Sequence, residues 1–184
     1  MTRKILLTLL RRDFPITILT KSPLIIRDVD LLKKFSDCEV GMTITTLSED
    51  VKTCFEPCSS SISERLAALK TLNDEGLITY TFIGPLLPEF AEDTFKEFAH
   101  RLKEISVNRV ILDRLNRKSG NWEPIKTVLK KYYPHLLQKY KRIPFFKNNY
   151  YQDPKRRITN ILINEGLRLS SATEKYIIKG LDLP

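Results

Sequence analysis

The sequence predicts an α/β fold in which four strands alternate with helices to build a parallel sheet. Apolar and polar residues alternate along residues 15–20 and 39–46, a pattern that is typical of strands. The S-x-x-E capping box of Ser61 and Glu64 marks the start of a helix. Between residues 95 and 105, apolar side chains recur at helical spacing, which predicts another helix.

The predicted elements follow one another in the order α-β-α-β-α-β-α-β. The helices are predicted at residues 2–12, 28–35, 61–76 and around 95–105, and the strands at 15–20, 39–46, 77–83 and 107–115. Short connections between alternating elements imply right-handed crossovers and a parallel sheet. The last third predicts two further helices, at about 122–140 and 154–165, whereas residues 48–60 are predicted to form a loop.

We expect the carboxyl ends of the four strands to lie on one face of the sheet. These ends are Lys21-Ser22, Thr45-Thr46, Gly84-Pro85 and Asn116-Arg117. Because α/β proteins place ligand-binding groups there, Lys21 is predicted to face a ligand, and a solvated loop lysine is the alternative. Four strands are too few for a closed eight-stranded barrel. The sequence contains neither a G-x-G-x-x-G motif nor a P-loop.

Length and composition restrict the class of protein. With 184 residues and 42% hydrophobic residues, the sequence corresponds to one domain or to part of a larger one. It contains no run of 18 apolar residues, so no membrane span is predicted. The segment MTRKILLTLLRRDF is interpreted as an amphipathic helix rather than as a signal peptide. An odd number of cysteines, three, argues against a disulfide scaffold, so we expect a cytoplasmic protein.

The positive charge is concentrated in the last third of the chain. Residues 1–117 contain 17 Lys and Arg and 17 Asp and Glu, whereas residues 118–184 contain 14 and 5, which accounts for the whole net charge of +9. Basic and aromatic residues alternate there, a composition that binds phosphates and stacks on bases. The predicted nucleic-acid-binding residues are Lys130, Lys131, Lys141, Arg142, Arg156 and Arg157. A solvated helix face over an aromatic core is the alternative.

The cysteines and the serine run carry no catalytic prediction. Cys54 and Cys58 have a C-x3-C spacing, but a cluster with an open iron needs a third thiolate, and Cys38 lies some distance away at a strand start. We therefore predict ordinary cysteines and no metal site. Ser59-Ser60-Ser61 is interpreted as the lead-in to a helix, because neither histidine is placed to act as its base.

Three stretches carry a resemblance to a known family. TRKILLTLLRRDFPITILTKSPLIIRDVDLL, GMTITTLSEDVKTCFEP and ERLAALKTLNDEGLITYTFIGPLLPEF closely resemble the radical S-adenosylmethionine proteins of the spore photoproduct lyase group, often labelled DNA repair photolyases. The resemblance covers about residues 2–117 without interruption. Its pieces, T-R-x-I-L, T-K-S…R-D, E-P…R-L and P-L-L-P, occur in the order found in the family.

The resemblance implies a partial parallel (β/α) barrel of about four βα units from a six-stranded barrel. Residues 1–117 would form this part, and residues 118–184 a basic, aromatic-rich helical extension packed on it. The implied cofactors are S-adenosylmethionine and a 4Fe-4S cluster, which together generate a 5′-deoxyadenosyl radical. In spore photoproduct lyase this radical reverses a thymine cross-link, so the resemblance implies DNA as a partner.

The resemblance also implies roles for residues at the strand ends. Lys21 matches the family's lysine that contacts the methionine part of the cofactor, and Thr43 stands where the family usually has a serine with a similar contact. Glu56 and Arg65 match the E-P…R pattern. The predicted cofactor-binding residues are Lys21, Ser22, Thr43, Thr45, Glu56 and Arg65. As alternatives, the threonines could be β-favouring residues facing the sheet interior, and Arg65 could face solvent.

One departure from the family is large. The C-x3-C-x2-C cluster motif belongs to the loop after the family's first strand, whereas this sequence matches the family from the helix before its third strand onward. The sequence therefore predicts no catalytic residue and no activity for this chain by itself. We expect the other part of the barrel to come from a separate chain, or the chain to self-associate. A non-catalytic nucleic-acid-binding module is the alternative function.

Overall fold

The structure is a computed structural model that describes residues 2–87, 89–90, 94–115, 120–142 and 152–170. For residue 114 and for residues 152–155 it describes the backbone alone. The predicted strand end Asn116-Arg117 lies outside the described residues.

Five parallel strands form one open sheet in the described part of the chain. They are β1 (Ile16–Thr20), β2 (Cys38–Thr43), β3 (Ile78–Leu86), β4 (Arg109–Arg114) and β5 (Leu169–Ser170). Their order in the sheet is their order in the chain, and every neighbouring pair is parallel. The predicted α/β fold is confirmed. The sequence did not predict β5, because two residues are too few to show an alternating pattern.

Helices precede and connect the strands as the alternation predicted. They are α1 (Thr2–Leu10), α2 (Val29–Leu32), α3 (Glu49–Phe55), α4 (Ile62–Asp74), α5 (Phe95–Glu104), α6 (Trp122–Tyr132), α7 (Leu137–Lys141) and α8 (Gln152–Asn164), with 3-10 helices at Pro23–Asp28 and Pro134–Leu136. The capping box predicted for α4 is present, since the Ser61 hydroxyl accepts from the Glu64 amide and the Glu64 carboxylate accepts from the Ser61 amide.

Three local predictions were wrong. The predicted loop at residues 48–60 contains α3, which begins where the Ser48 hydroxyl accepts a hydrogen bond from the Val51 amide. The helix predicted at 122–140 stops at Tyr132, because the residue before Pro134 is disfavoured in the helical region. Strand β3 continues to Leu86 with a register irregularity after Ile83, which lets the strand pass through Gly84-Pro85.

One face of the sheet packs against helices. Side chains that alternate along β2, β3 and β4 on this face are fully buried: Val40, Met42, Ile83 and Val110. Helix α4 packs on β2 and β3, and α5 packs against α8. All six residues of β2 are buried, which is typical of a central strand in a parallel sheet covered on both faces.

On the opposite face, Tyr80 lies across β2. A Cβ atom on Gly41 would stand 2.3 Å from the ring, so only glycine leaves room for it. The Tyr80 hydroxyl donates to the Ile18 carbonyl at 3.2 Å, which links β3 to β1 over the intervening strand. The Arg109 guanidinium lies 4.6 Å from the ring centroid. This contact is a cation–π interaction that adds β4 to the same assembly.

Arg109 extends this assembly in both directions along the sheet. It is 8% exposed, and its Nη2 atom lies 2.5 Å from a carboxylate oxygen of Glu39 on β2. Its Nη1 atom donates to the Ser170 hydroxyl on β5 at 2.7 Å. Side chains from four strands, and a main-chain carbonyl of the fifth, thus meet in one buried group on this face.

Apolar side chains are exposed on β1 and on α1, the helix that precedes it. Among the described strands, β1 pairs only with β2. Leu19 on the Tyr80 face is 46% exposed, and Ile5 and Leu7 on α1 are 51% and 46% exposed. Unpaired strand edges flanked by apolar surface are places where another polypeptide segment can pair.

The helices of the described ranges are too short or too polar to span a membrane.

Candidate cofactor-binding site

The carboxyl ends of β1 and β2 bring predicted site residues together. Lys21 follows directly after β1, Thr43 is the last residue of β2, and Thr45 lies two residues beyond it. In the parallel register Thr20 stands opposite Met42, so the two strand ends lie side by side. The threonines are 6% and 5% exposed, respectively.

Glu56 joins these residues into one cluster. It is the residue that ends α3, and its side chain is 10% exposed. Its Oε1 atom lies 3.0 Å from Lys21 Nζ and accepts from the Thr45 hydroxyl at 3.3 Å. Its Oε2 atom lies 2.8 Å from Arg65 Nη2. One carboxylate therefore connects the ends of two strands with the first turn of α4.

Arg65 is buried behind Glu56, with 1% of its side chain exposed. Its Nη1 donates to the Thr43 carbonyl at 2.9 Å, and its Nε donates to the Ser60 carbonyl at 3.0 Å. Its Nη2 also donates to the Ser59 hydroxyl. The alternative that Arg65 faces solvent is therefore wrong: the early turn of α4 points toward the end of β2 rather than away from the protein.

Two predicted residues have structural contacts that differ from those of Lys21 and Glu56. The Ser22 hydroxyl accepts from the Leu24 amide at 3.3 Å and caps the 3-10 helix, while the Ser22 amide donates to the Thr20 hydroxyl at 3.0 Å. Thr43 contributes its carbonyl, through the bond to Arg65. Lys21, Thr45 and Arg65 thus contact Glu56 directly, and Thr43 is linked to it through Arg65. Ser22 lies in the adjoining turn.

The electrostatics favour an ionised Glu56. Burial alone raises the pKa of Glu56, but the hydrogen bond and charge of Lys21, with the charge of Arg65, outweigh burial, so the pKa lies below its ordinary value of 4.5. Lys21 is 42% exposed, whereas Arg65 is enclosed. The cluster therefore presents one accessible ammonium group beside one carboxylate, and the buried guanidinium pairs with the other oxygen of the same carboxylate behind them.

Sequence reasoning missed the side chains of Glu49 and Ser59, and the main-chain carbonyl of Ser60, among the contacts around this site. Glu49, in the first turn of α3, accepts hydrogen bonds from the Ile62 amide at 2.6 Å and the Ser63 amide at 3.4 Å. Ser59 and Ser60 contact Arg65, although the serine run was interpreted only as the lead-in to α4. The available signal was the acidic first turn S-E-D-V at residues 48–51, which is typical of a helix start.

The described cysteines do not form a metal-binding group. Cys38 is buried at the start of β2, Cys54 is in the last turn of α3, and Cys58 is exposed in the following turn. Over the described ranges, no group of three or more His, Cys, Asp or Glu could hold a metal ion. The Tyr133 hydroxyl instead donates to Cys54 Sγ at 3.9 Å, which ties α3 to the end of α6.

The predicted nucleic-acid-binding residues lie on three helices. Lys130 and Lys131 are in the last turn of α6, Lys141 and Arg142 are at the end of α7, and Arg156 and Arg157 are in the first half of α8. All six are exposed. Lys131 Nζ lies 4.9 Å from the ring centroid of Tyr132, which is 50% exposed.

Known proteins resemble this chain over part of their length. No protein-family model matches it. An uncharacterized protein of Methanocaldococcus jannaschii is 45% identical over 92 residues, which is 50% of this chain and 35% of that protein. An uncharacterized protein of Acidianus two-tailed virus is 28% identical over 134 residues, 70% of this chain and 44% of that protein. The chain thus spans less than half the length of these relatives.

Solved structures of spore photoproduct lyase share the fold. The enzyme complexed with dinucleoside spore photoproduct superposes with a TM-score of 0.64 at 16% identity, covering 92% of this chain and 55% of that chain. A double mutant with bound AdoMet and dinucleoside spore photoproduct gives 0.68 at 14% identity, covering 91% and 54%. The resemblance predicted from the motifs is confirmed at the level of the fold: this chain has the architecture of about half of spore photoproduct lyase.

We predict that Glu56 makes stability pH-dependent. Because its pKa is lower in the folded chain than the ordinary 4.5, its ionised form stabilises the fold fully above that pH, and this stabilisation is lost as pH falls through the lower, folded-state pKa. Glu56→Gln should lower the free energy of unfolding at pH 7 by about 3 kcal/mol, since it leaves Arg65 uncompensated. The difference from wild type should shrink when urea unfolding is repeated at pH 3.

Glu75→Gln is the matched control. Glu75 pairs with Lys33 at 2.9 Å, but both side chains are almost half exposed. Exposed pairs contribute less than about 1 kcal/mol, so this variant should resemble wild type. A Glu56→Gln difference that stays constant from pH 7 to pH 3 would contradict the prediction.

Proposed function

We propose that this chain is part of a radical S-adenosylmethionine barrel related to spore photoproduct lyase, and that Lys21 and Glu56 bind the methionine part of the cofactor. The observation that carries this proposal is the convergence of Lys21, Glu56 and Arg65 at the carboxyl ends of β1 and β2. A DNA photoproduct is the substrate class that we propose for the complete protein.

The donor set fits the methionine end of S-adenosylmethionine. An α-amino acid carries one carboxylate and one ammonium group, and the cluster offers a half-exposed ammonium group and a carboxylate whose atoms are 3.0 Å apart. Lys21 would bind the carboxylate, and Glu56, held ionised by Lys21 and Arg65, would bind the ammonium. The threonines complete the predicted set beside them. When bound, this cofactor supplies the radical chemistry of the family.

The described residues do not fit a 4Fe-4S cluster. Its site-differentiated form needs three thiolates around one position, and the three cysteines of this chain lie in a strand, a helix and a turn. We propose that the cluster loop lies on polypeptide outside this sequence, and that the chain by itself has no radical activity. The proposed place for that polypeptide is the β1 edge, because Leu19 on β1, and Ile5 and Leu7 on the preceding α1, are exposed apolar side chains.

The proposed division of the chain places the barrel part at residues 1–117 and the basic extension at 118–184. Contacts between α8 and α5, and the pairing of β5 with β4, support an extension that packs on the barrel part. The three free thiols favour a reducing compartment, for which we propose the cytoplasm. Alkylation of all three thiols when cell extract is denatured directly in the alkylating reagent, without prior reduction, would test this.

We predict that the chain binds S-adenosylmethionine through Lys21. Lys21→Ala should weaken binding at least about tenfold in isothermal titration calorimetry, because a charge-assisted hydrogen bond to the carboxylate is lost. Lys33→Ala is the control: its ammonium forms an ion pair of 2.9 Å with Glu75 and has similar exposure, but lies away from the strand ends. Equal affinities of the two variants would overturn the assignment of Lys21.

We predict that activity requires polypeptide outside this sequence. After anaerobic reconstitution, this chain should bind little iron or sulfide and release no 5′-deoxyadenosine. Adding a polypeptide that carries the C-x3-C-x2-C loop and its strands should produce both, and Leu19→Asp should weaken the association by placing a charge at the β1 edge. About four iron atoms per chain without the addition would contradict the proposal. Self-association through this edge would appear instead as a dimer in sedimentation.

A second candidate function is non-catalytic nucleic-acid binding by the basic extension. The observation that favours it is the pair formed by Lys131 and the exposed Tyr132 ring, next to Lys130 in the same helical turn. Cations contact phosphates without regard to sequence, and an exposed aromatic ring can stack on an unpaired base. This candidate function needs neither the group formed by Lys21, Glu56 and Arg65 nor the β1 edge.

For this candidate we predict salt-dependent binding to a single-stranded DNA oligonucleotide. The logarithm of the affinity should fall linearly with the logarithm of salt concentration, and replacing Lys130 and Lys131 by alanine should reduce the slope by about 2. Lys33 and Lys34, another adjacent exposed pair, provide the matched control and should leave the slope unchanged. Binding that does not respond to salt, or that both double variants reduce equally, would remove this candidate.

A further inference from the structure

We propose that Ser59 is a positioning residue for the cofactor site: its hydroxyl holds the turn after α3 so that Glu56 and Arg65 keep the orientation that binds the ligand. The inference rests on the proposed function, because it assigns a role toward the same ligand. Its structural part, the hold on the turn, can be measured without any ligand.

Ser59 makes four hydrogen-bond contacts within the site. Its amide donates to the Glu56 carbonyl at 3.1 Å, which closes the turn over residues 56–59. Its hydroxyl lies 2.7 Å from the same carbonyl and 3.3 Å from Glu56 Oε2, and it accepts from Arg65 Nη2. The side chain therefore contacts both the main chain that carries Glu56 and the guanidinium that faces its carboxylate.

A second contact fixes the ends of the segment that contains this turn. The Glu49 carboxylate, in the first turn of α3, accepts from the amides of Ile62 and Ser63 at the start of α4. A charge-assisted hydrogen bond of 2.6 Å thus joins the two ends of the segment 49–62, which contains α3 and the turn after it. Glu56 lies midway along this segment. With the ends fixed by Glu49, Ser59 restrains the middle.

Chemistry explains why the hydroxyl matters. A buried guanidinium must keep its acceptors, because an unpaired buried donor loses solvation without compensation. If Ser59 became alanine, Arg65 Nη2 would keep only Glu56, and the turn would lose the hydroxyl bond to its carbonyl. Glu56 would then sample orientations that do not face Lys21. Ligand binding would have to restore the order, which lowers affinity.

Ser60 offers a matched control. It is adjacent in the chain and is also half-buried, but it contributes its main-chain carbonyl to Arg65 Nε. An alanine at position 60 keeps that carbonyl. Ser59→Ala and Ser60→Ala therefore each remove one hydroxyl group from neighbouring residues. Because only the Ser59 hydroxyl contacts Glu56 and Arg65 among the contacts given above, we expect Ser59→Ala to change cofactor affinity.

The binding experiment titrates S-adenosylmethionine into the wild-type chain and its variants by calorimetry. Ser59→Ala should weaken binding about tenfold, as expected for one hydrogen bond in a charged network, while Ser60→Ala should stay within about twofold of wild type. Ser59→Thr, which keeps a hydroxyl, should recover most of the affinity. In a Glu56→Gln background, Ser59→Ala should add less than about twofold, because the residue it positions no longer carries the charge.

A ligand-free measurement separates the two possible failures. Amide hydrogen exchange at Ser59, whose amide donates to the Glu56 carbonyl, should be faster in Ser59→Ala than in Ser60→Ala. If wild type does not bind the cofactor but exchange differs in this way, the proposed function fails and the hold on the turn stands. If wild type binds through Lys21 but the two variants match in affinity and exchange, the role of Ser59 is overturned.

Discussion

A buried positive charge constrains this part of the fold. The Arg65 guanidinium has almost no contact with solvent, so every acceptor around it has to come from the protein. Those acceptors belong to three different pieces of chain: the end of β2, the serines before α4, and Glu56 after α3. A shift of Glu56 would leave the charge unpaired, at a cost of several kcal/mol, and a shift of either other piece would remove a hydrogen bond from a buried guanidinium. The geometry of the strand ends therefore depends on this one side chain.

A second buried arginine, Arg109 at the amino end of β4, connects the strands of the sheet. Arg109 joins β4 to β2 through Glu39, to β5 through Ser170, and to the ring of Tyr80. The two arginines act in different parts of the protein. Arg109 fixes the relative positions of the strands, and Arg65 fixes the connections at their carboxyl ends. This division lets the site be rigid although its residues come from connections, which are ordinarily the more mobile parts of a fold.

Much of this arrangement could be predicted from local patterns, because alternation and capping are properties of neighbouring residues. In a parallel sheet the carboxyl ends of the strands lie on one side, so the sequence alone predicts that Lys21 and the residues after β2 lie close together. The end of α6 before Pro134 also has a local cause that the prediction did not use, because a residue before proline is disfavoured in the helical region. Burial of Arg65 and the contacts of Ser59 could not be predicted, since both depend on where α4 meets β2, which no local pattern encodes.

The Tyr80 ring lies over Gly41, below the strand ends that carry Lys21 and Thr43. Gly41 precedes Thr43 by two residues on the same face of β2, so the ring lies about 7 Å from the strand end. Any side chain larger than hydrogen at position 41 would force the ring to shift. Because the Tyr80 hydroxyl joins β3 to the Ile18 carbonyl of β1, such a shift would also disturb the strand that ends just before Lys21. The smallest residue of β2 thus maintains the contact between the strands on either side of it.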